Sequence, residues 1–379
     1  MHDSLLQELE VKAPEVRLAL RQQQYLVDAL AHASQTLKAS GENRPKRIAR
    51  LRTMFDQQEA LGPLKTLTFA LLMPLDPRQR IVSSVPERAT VFKSAMSPLG
   101  LTFNTVEARL GDDAARRSVR EQYSVIFKSG DDLRQDQLVL QIIMLMDKLL
   151  REQGLDLKLT PYRALATGPG QGLVERVPDC QPLAQVLKEN SNDIRRYLEH
   201  LHPAPDAQYR IDPTVLETYV KSCAGYCVAM YLLGVGDRHN DNLMLRSNGA
   251  LFHIDFGYLF GRDPKPLPPP MKLSKEMIEA MGGADSQSHV QFRIWCCEAF
   301  NILRARSNLI LNLLMLMVDA QIQDLRGEHD VLTVAKKFRL DLNNEEASRY
   351  FQKLINESTE AIVPQIVDRL HDVAQYWRA

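Results

Sequence analysis

The sequence predicts an α+β fold in which a β-rich lobe is followed by a mainly helical lobe. At 379 residues the chain is too long for one small core, so two or three domains or lobes are expected. From about residue 65, short β-branched and aromatic stretches alternate with turn residues, whereas after residue 182 helical patterns dominate. We therefore expect an N-terminal helical segment at 1–62, a β-rich lobe at 63–178 and a mainly helical lobe at 179–379.

Helical periodicity covers residues 4–38, and a second short helix is expected at about 48–60. The polar, basic break between them, 40–47, favours a solvated linker, with a membrane-facing basic loop as the alternative. One helix, 136–150, interrupts the β-rich lobe, because its apolar residues recur on one face. The strands expected there are 67–72, 91–93, 101–103, 123–128, 157–159, 162–166 and 172–177.

The stretch GDRHNDNLMLRSNGALFHIDFG, residues 236–257, contains a short hairpin. Two apolar strands flank Asn248-Gly249, a dipeptide that favours a two-residue turn because both turn positions need a positive φ. A turn centred on this pair places Asn242 opposite Asp255, with Cα atoms roughly 5 Å apart. An amide oxygen and a carboxylate at that separation suit a hard cation such as Mg²⁺.

Composition excludes several classes of protein. Lys plus Arg and Asp plus Glu both number 47, and this zero net charge argues against a nucleic-acid binder. The 5 cysteines lack the spacing of a disulfide framework, which indicates reduced thiols in a cytosolic compartment. Cys223 and Cys227 lie in an apolar helix pattern that favours buried thiols over a metal site. The longest apolar stretch, 309–318, is too short to cross a bilayer, and the first residues lack a signal-peptide pattern.

The polar residues around the hairpin match the requirements of phosphoryl transfer. Asp237 precedes Asn242 by five residues, the interval at which protein kinases place a catalytic base and a metal-binding amide. Asp255 begins an Asp-Phe-Gly triplet, whose aspartate binds metal in those enzymes. His239 is a second candidate base, and Lys128, at the end of an apolar strand, could hold nucleotide phosphates. Each feature alone is weak, because a strand-end lysine is usually a surface charge, but together they predict a kinase.

At these residues the sequence resembles a known family. GDRHNDN, HIDFG and FKSGDDLRQDQLVLQII (127–143) resemble the phosphatidylinositol 3- and 4-kinases and their related protein kinases. The stretch from Asp255 to Met281 is similar to the activation loop of class III phosphatidylinositol 3-kinases, as are KKFRLDL and AQYWR near the C-terminus. The resemblance covers nearly the whole chain. It implies a two-lobed protein-kinase-like fold, with residues 1–62 joining a helical domain that is absent from this sequence.

The resemblance also implies roles for individual residues. Lys128 would contact the nucleotide phosphates, and Asn242 and Asp255 would bind Mg²⁺ or Mn²⁺ with ATP. The general base would be Asp237 or His239, of which His239 is preferred. The other ATP-binding residues would be Phe92, Ser94, Asp131, Asp136, Tyr162, Glu175, Arg176 and Val177, with Asp255 also counted among them. The residues of the loop that reads the lipid headgroup would be Arg262, Lys265 and Lys272.

The proline-rich loop after Asp255 indicates the substrate. A headgroup that already carries phosphates requires several basic side chains, but the three basic residues here are offset by Asp255 and Asp263. The charge suits phosphatidylinositol, which would be phosphorylated on its 3-hydroxyl. A phosphatidylinositol 4-kinase, a related Ser/Thr protein kinase and an inactive interaction domain are the alternatives. Two residues depart from the class III pattern, Asn240 and the hinge residue Arg176.

Partners and location are implied by the resemblance alone. They are a regulatory protein-kinase-like subunit, a Beclin-type subunit and a phosphatidylinositol membrane surface, with no nucleic acid. The enzyme would be cytoplasmic and peripheral on endosomal and autophagic membranes, acting in endocytosis and autophagy. An apolar stripe from Ile362 to Trp377, ending in Tyr376-Trp377, favours membrane contact by the C-terminal helix over packing on the helical lobe.

Overall fold

The structure is a computed structural model, and it describes residues 2–56, 61–94, 96–106, 119–266 and 268–360. The chain divides into two compact units. The first comprises residues 1–137 and 162–178, and the second comprises 138–161 and 179–379. The predicted division into segments at 1–62, 63–178 and 179–379 stays a prediction.

Within residues 2–56 and 61–65, four helices precede the sheet of the first unit, and they are α1 His2–Lys12, α2 Pro14–Ala39, α3 Arg44–Thr53 and α4 Gly62–Lys65. The helical stretch expected at 4–38 is interrupted at Ala13, whose φ of −152° is not helical, because a residue before proline disfavours the helical region. The expected linker at 40–47 is shorter than predicted. Asn43 caps α3 by accepting a hydrogen bond from the Lys46 N–H at 3.2 Å, so the helix already begins at Arg44.

An antiparallel seven-stranded sheet forms the rest of the first unit. Its strands are β1 Thr66–Met73, β2 Asp76–Ser84, β3 Thr90–Val91, β4 Leu99–Val106, β5 Val119–Ser129, β6 Ala164–Gly168 and β7 Gln171–Glu175. They are ordered β1-β2-β4-β5-β7-β6, and β3 pairs with β4. The core beside the sheet is continuous with α2, since Leu30 and Leu37 cluster with Phe103 and Phe127.

In the β-rich region one observed strand is missing from the predicted set and one predicted strand is wrong, each for a physical reason. Strand β2 was not expected, because its first residues are charged and polar and mask the alternation. Residues 157–159, expected as a strand, are irregular. Their apolar alternation instead reflects packing, since Leu157 and Leu159 lie against Gly225, where a Cβ atom would be 2.7 Å from Leu159.

The second unit is mainly helical. Its helices are α5 Arg134–Glu152, which begins in the first unit, α6 Leu183–Glu189, α7 Ile194–Leu201, α8 Pro213–Leu233, α9 Lys275–Ala280, α10 Gln287–Ala305, α11 Ser307–Leu316, α12 Glu328–Lys337 and α13 Asn344–Glu360. Helix α8 is buried over most of its circumference and is the centre of this core. A small antiparallel sheet has the order β10-β9-β8, and its strands are β8 Cys180–Pro182, β9 Leu243–Arg246 and β10 Leu251–His253. The predicted α+β fold class is confirmed.

The hairpin between β9 and β10 has a three-residue turn. Leu245 pairs with Leu251, and the Gly249 N–H donates to the Arg246 carbonyl at 3.0 Å. Within the turn, residues 247–249, only Gly249 has a positive φ, which is +90°. This is the other hairpin that an Asn-Gly pair favours, a turn followed by one left-handed residue.

The observed turn shifts the predicted pairing by one residue. Asn242 faces Ile254, whose N–H donates to the Asn242 carbonyl at 3.0 Å. The predicted pairing of Asn242 with Asp255 is therefore wrong, although Asp255 is the next residue. The observed turn packs against α8, because a Cβ atom at Gly249 would lie 2.4 Å from the Val215 carbonyl oxygen.

The predicted C-terminal membrane helix, with Tyr376 and Trp377, lies outside the described residues. Of the helices in the described part of the chain, none has the length and apolar character to cross a membrane. All five cysteines are free thiols, and Cys223 and Cys227 are buried as predicted.

Candidate active site

The backbone at the end of α8 is held against the segment that follows Asp255. The Phe260 and Gly261 N–H groups donate to the carbonyls of Leu233 and Gly234 at 3.0 and 2.9 Å, and the Gly236 N–H donates to Tyr258 at 3.0 Å. Gly236 has no space for a side chain, because a Cβ atom there would lie 2.1 Å from the Arg262 carbonyl oxygen. We call residues 236–242 the catalytic loop and residues 262–272 the headgroup loop, after their predicted roles. The two begin side by side.

The two candidate bases are neighbours in the catalytic loop. His239 Nε2 lies 3.8 Å from the Asp237 carboxylate, beyond hydrogen-bond distance. His239 Nδ1 accepts a hydrogen bond from the Asp241 N–H at 3.2 Å, so a neutral ring in this geometry carries its proton on Nε2. The side chains of Asp237 and His239 are 29% and 43% exposed, so both are accessible to a substrate.

Arg238 connects the catalytic loop to the end of β10. Its guanidinium donates to the carbonyls of Gly236 at 2.7 Å, Ile254 at 2.8 Å and Asp255. It also lies 5.8 Å from the ring centroid of Phe256. These contacts hold the backbone of Asp255 near the catalytic loop, a role that the sequence pattern did not indicate.

Asn242 and Asp255 have the free oxygen atoms that a divalent metal requires. Asn242 is buried, and its Nδ2 donates to the Asp237 carbonyl at 3.0 Å. Its Oδ1 accepts no hydrogen bond from any residue that the structure describes. Asp255 adopts a left-handed φ of +61°, and its exposed carboxylate likewise accepts none from the described residues. One carboxylate and one amide oxygen fit Mg²⁺, which usually takes its other ligands from water and substrate phosphates.

His253 and Asn240 lie next to these residues. Burial, with the nearby charges of Arg238 and Lys272, lowers the pKa of His253 well below its ordinary value, so this histidine is neutral. It stacks on Tyr226 with ring centroids 5.1 Å apart. The Oδ1 atom of Asn240 is buried without a partner among the described residues, and it borders an open pocket of about 420 Å³.

The three basic residues predicted to read the lipid headgroup have different surroundings. Lys265 is exposed, and its N–H donates to the Asp263 carboxylate at 2.8 Å. Lys272 is half-buried, and its carbonyl accepts a weak hydrogen bond from the Cys227 thiol. The Arg262 guanidinium donates to Asp330 at 2.7 Å and lies 3.9 Å from Asp324.

The two aspartates that face Arg262 are both only 3% exposed. Asp324 accepts the Leu259 N–H at 2.9 Å, and Asp330 accepts the Arg326 N–H at 2.8 Å. Burial alone would raise the pKa of Asp330, but the hydrogen bonds from the Arg326 N–H and from Arg262 outweigh it, and the pKa is lowered. Arg262 therefore neutralises buried carboxylates and anchors the start of the headgroup loop. Its contact with a headgroup stays a prediction.

In the first unit, Lys128 lies near the end of β5 and contacts Asp131 at 3.0 Å. The loop between β3 and β4 contains Phe92 and Ser94, and Arg176 lies 5.8 Å from the Phe92 ring centroid. We call residues 91–96, which the family resemblance places over the nucleotide phosphates, the phosphate loop. The contact joins this loop to the predicted hinge, residues 175–177. The remaining ATP-binding candidates of this unit are Asp136 in the first turn of α5, the buried Tyr162, Glu175, which accepts the Arg163 N–H at 3.0 Å, and Val177 after β7.

Basic residues of α2 and α3 support the phosphate loop, and the sequence analysis missed them. Arg44 donates to the Val91 carbonyl at 2.6 Å, and Arg47 donates to the Ser97 hydroxyl at 2.9 Å. Lys38 donates to the Ser129 carbonyl at 2.6 Å, one residue beyond Lys128. The expected solvated linker therefore includes two arginines that pack on the sheet. Their spacing of three residues, on one face of a helix that Asn43 caps, was the available signal.

Comparisons with known proteins give consistent results. A family model described as phosphatidylinositol 3- and 4-kinase matches residues 122–215 and 191–327. Over 341 residues the chain is 49% identical to the phosphatidylinositol 3-kinase root isoform of Glycine max and to phosphatidylinositol 3-kinase VPS34 of Arabidopsis thaliana, in alignments that cover 89% of this chain and 40% of each relative. It is 46% identical over 370 residues to phosphatidylinositol 3-kinase pik3 of Schizosaccharomyces pombe, with 96% and 44% covered. The chain thus spans less than half the length of these curated relatives.

We predict that Arg262→Ala destabilises the folded chain by roughly 3 kcal/mol at pH 7, because it removes the cation that lies 2.7 Å from the buried carboxylate of Asp330. The deficit should shrink as the pH falls below 3.8, the ordinary pKa of the aspartate, since a group with a lowered folded pKa loses its contribution when it is protonated. Chemical denaturation across pH measures both effects. Lys275→Ala, which removes only an exposed pair with Glu279, is the control and should change the free energy of unfolding by less than about 1 kcal/mol.

Proposed function

Because this chain belongs to the phosphatidylinositol 3- and 4-kinase family, we propose that it transfers the γ-phosphate of ATP to the 3-hydroxyl of phosphatidylinositol. The observation that carries the proposal is its identity of 46% to 49% with proteins named phosphatidylinositol 3-kinase. The family uses ATP and a divalent metal, and we propose Mg²⁺ or Mn²⁺ as the metal.

Asn242 and Asp255 are the proposed metal ligands. When bound, the metal neutralises charge on the phosphates and orients the transferred group. Asn242 is prepared for this role because its amide nitrogen is already bonded to the Asp237 carbonyl at 3.0 Å, which fixes the side chain and leaves its oxygen free. Arg238 supports Asp255 by bonding to its carbonyl, which keeps the carboxylate available for the metal.

His239 is our preferred base, since a histidine is the side chain best suited to accept and return a proton near neutral pH. In this role its Nε2 must carry the lone pair, so the 3.2 Å contact from the Asp241 N–H has to be given up. Asp237, at 3.8 Å, would then stabilise the imidazolium. If the ring keeps its present tautomer, Asp237 itself accepts the hydroxyl proton. Both assignments place the base in the catalytic loop.

The first unit is proposed to bind the nucleotide. Lys128 would contact the phosphates, and the loop with Phe92 and Ser94 would cover them through backbone N–H groups. This loop is not glycine-rich, so its shape depends on bonds such as the Ser97 N–H to the Ser94 carbonyl at 3.0 Å. Arg47 extends that support by holding the Ser97 hydroxyl. Asp131, Asp136, Tyr162 and the hinge residues 175–177 complete the proposed nucleotide contacts.

The headgroup loop supports phosphatidylinositol over more highly phosphorylated lipids. Arg262 is directed to Asp330, the two further basic residues of the loop are Lys265 and Lys272, and the acidic Asp263 lies between Arg262 and Lys265 in the chain. This charge suits one phosphodiester. A phosphatidylinositol 4-kinase is the second candidate, and separating the products of labelled ATP and phosphatidylinositol by thin-layer chromatography distinguishes the two positional isomers.

We further propose the setting that the family resemblance implies. It consists of peripheral association with endosomal and autophagic membranes, a regulatory protein-kinase-like subunit and a Beclin-type subunit. The C-terminal residues Tyr376 and Trp377 are proposed to contact the membrane. Activity on vesicles with and without residues 369–379 tests that contact, because lipid-independent ATP hydrolysis should be spared by the truncation.

Asp255→Ala is expected to abolish phosphorylation of phosphatidylinositol while the chain still folds, because its exposed carboxylate is predicted to bind metal and holds no neighbour in place. Its left-handed φ of +61°, which alanine tolerates less well than aspartate, should lower the melting temperature only slightly. Labelled ATP with phosphatidylinositol vesicles measures activity, and thermal denaturation measures folding. Asp285→Ala removes another exposed carboxylate and should remain active. Near-normal turnover by the Asp255 variant would exclude it as a metal ligand.

The base can be identified by comparing His239→Ala with Asp237→Asn. We expect the histidine variant to lose about 10²–10⁴-fold in kcat, the contribution of a positioned general base. His200→Ala, at an exposed position in α7, is the matched control. If the asparagine variant loses turnover while His239→Ala keeps it, Asp237 is the base instead.

Arg47→Ala is expected to raise the KM for ATP about fivefold, because one hydrogen bond of about 1 kcal/mol no longer holds the phosphate loop. Arg50→Ala, in the same helix and 44% exposed, should leave this KM unchanged. Steady-state kinetics with varied ATP measures both. An unchanged KM in the Arg47 variant would show that the loop keeps its shape without α3.

A further inference from the structure

The Asp263 carboxylate bridges two loops that are distant in sequence. One oxygen accepts the Asp237 N–H of the catalytic loop at 2.9 Å, and the other accepts the Lys265 N–H of the headgroup loop at 2.8 Å. The second contact spans two residues and is an ordinary turn of an aspartate side chain onto its own backbone. The first spans 26 residues, so local turn chemistry does not explain it.

We propose that Asp263 is a positioning residue that sets the catalytic loop and the headgroup loop in register with each other. The inference rests on the proposed function, because it concerns how the base and the lipid headgroup are brought together. In the sequence Asp263 was only an acidic residue that offset the basic charge of its loop. In the structure its two carboxylate oxygens accept hydrogen bonds from backbone N–H groups, so Asp263 fixes the relative position of the two loops.

The backbone next to Asp263 in the chain and the backbone that faces it at Gly236 are both fixed, so the position of the Asp263 carboxylate determines how the two loops are spaced. Arg262 is anchored to the buried Asp330, and the Gly236 position is so close that a Cβ atom would lie 2.9 Å from the Asp263 carboxylate. The carboxylate is therefore matched to one separation of the two loops.

The residue that receives the first contact is conformationally unusual. Asp237 has a left-handed φ of +51°, a conformation that neighbouring contacts must maintain. Without the bond from its N–H, Asp237 can relax and move His239, two residues later, away from the headgroup. At the same time, Lys265 loses the turn that orders its part of the headgroup loop. The change at Lys265 affects the lipid, and the change at Asp237 lowers turnover through His239 and through Asn242, whose amide is bonded to the Asp237 carbonyl. The proposed nucleotide contacts of the first unit are untouched.

The test uses the full chain with phosphatidylinositol vesicles and the variants Asp263→Ala and Asp263→Asn. We expect Asp263→Ala to lower kcat/KM for the lipid on the order of tenfold to a hundredfold, through both a lower kcat and a higher KM, with the KM for ATP within about twofold of wild type. Asp263→Asn keeps one acceptor oxygen but presents an amide N–H₂ group to one loop, so it should fall between Asp263→Ala and wild type. Asp319→Ala, at an exposed position that carries no proposed role, should match wild type.

The outcomes separate this inference from the proposed function. A wild-type chain that does not phosphorylate phosphatidylinositol contradicts the proposed function. An active wild type with unaffected Asp263 variants contradicts only the positioning role. An equal rise in the KM for ATP, or failure of both variants to fold by thermal denaturation, would show a general structural role and overturn the inference. The graded loss confined to lipid kinetics supports it.

Discussion

Three backbone hydrogen bonds between residues 233–236 and 258–261 are the constraint on which the candidate site depends. These bonds pair backbone groups of the two segments, so the end of α8 and the segment after Asp255 are fixed together. With this spacing set, Arg238 reaches carbonyls on both sides, and Asp237 begins its loop beside Asp263. The polar residues of the site are thus placed by the backbone before their side chains interact.

The chemistry of the site could be predicted from the sequence better than its geometry. The family resemblance and the α+β fold are confirmed, because the motifs and the alternation of apolar residues are properties of short segments. The hairpin register could not be read in the same way. An Asn-Gly pair fits a two-residue turn and also a three-residue turn with a left-handed glycine. The close approach of Gly249 to Val215 of α8, 34 positions earlier in the chain, accompanies the observed choice.

Long-range contacts of charged residues were also beyond the sequence patterns. From the sequence, a basic loop residue that binds a ligand cannot be distinguished from one that pairs with a buried carboxylate. Arg262 does the latter, and its partners Asp324 and Asp330 are acidic residues next to the buried Leu325 and Val331. Acidic residues interleaved with apolar ones were the only available signal. This pattern indicates that a buried carboxylate needs a cation near it. Which residue supplies the cation depends on the fold.

In the site, some groups position the backbone, and others are proposed to bind the metal or transfer a proton. Asp237 and Asp255 both have left-handed backbones, at φ of +51° and +61°, and each such conformation costs roughly 1–2 kcal/mol for a residue with a side chain. Aspartate tolerates this region better than most residues. The remaining cost is offset by backbone bonds, from the Asp237 N–H to Asp263 and from Arg238 to the Asp255 carbonyl. Because the Asp255 backbone is held through its carbonyl, its carboxylate is not needed for this contact. The carboxylate is exposed and accepts no hydrogen bond from the described residues. A metal ligand needs that freedom, and a strained but well-held backbone is how the fold provides it.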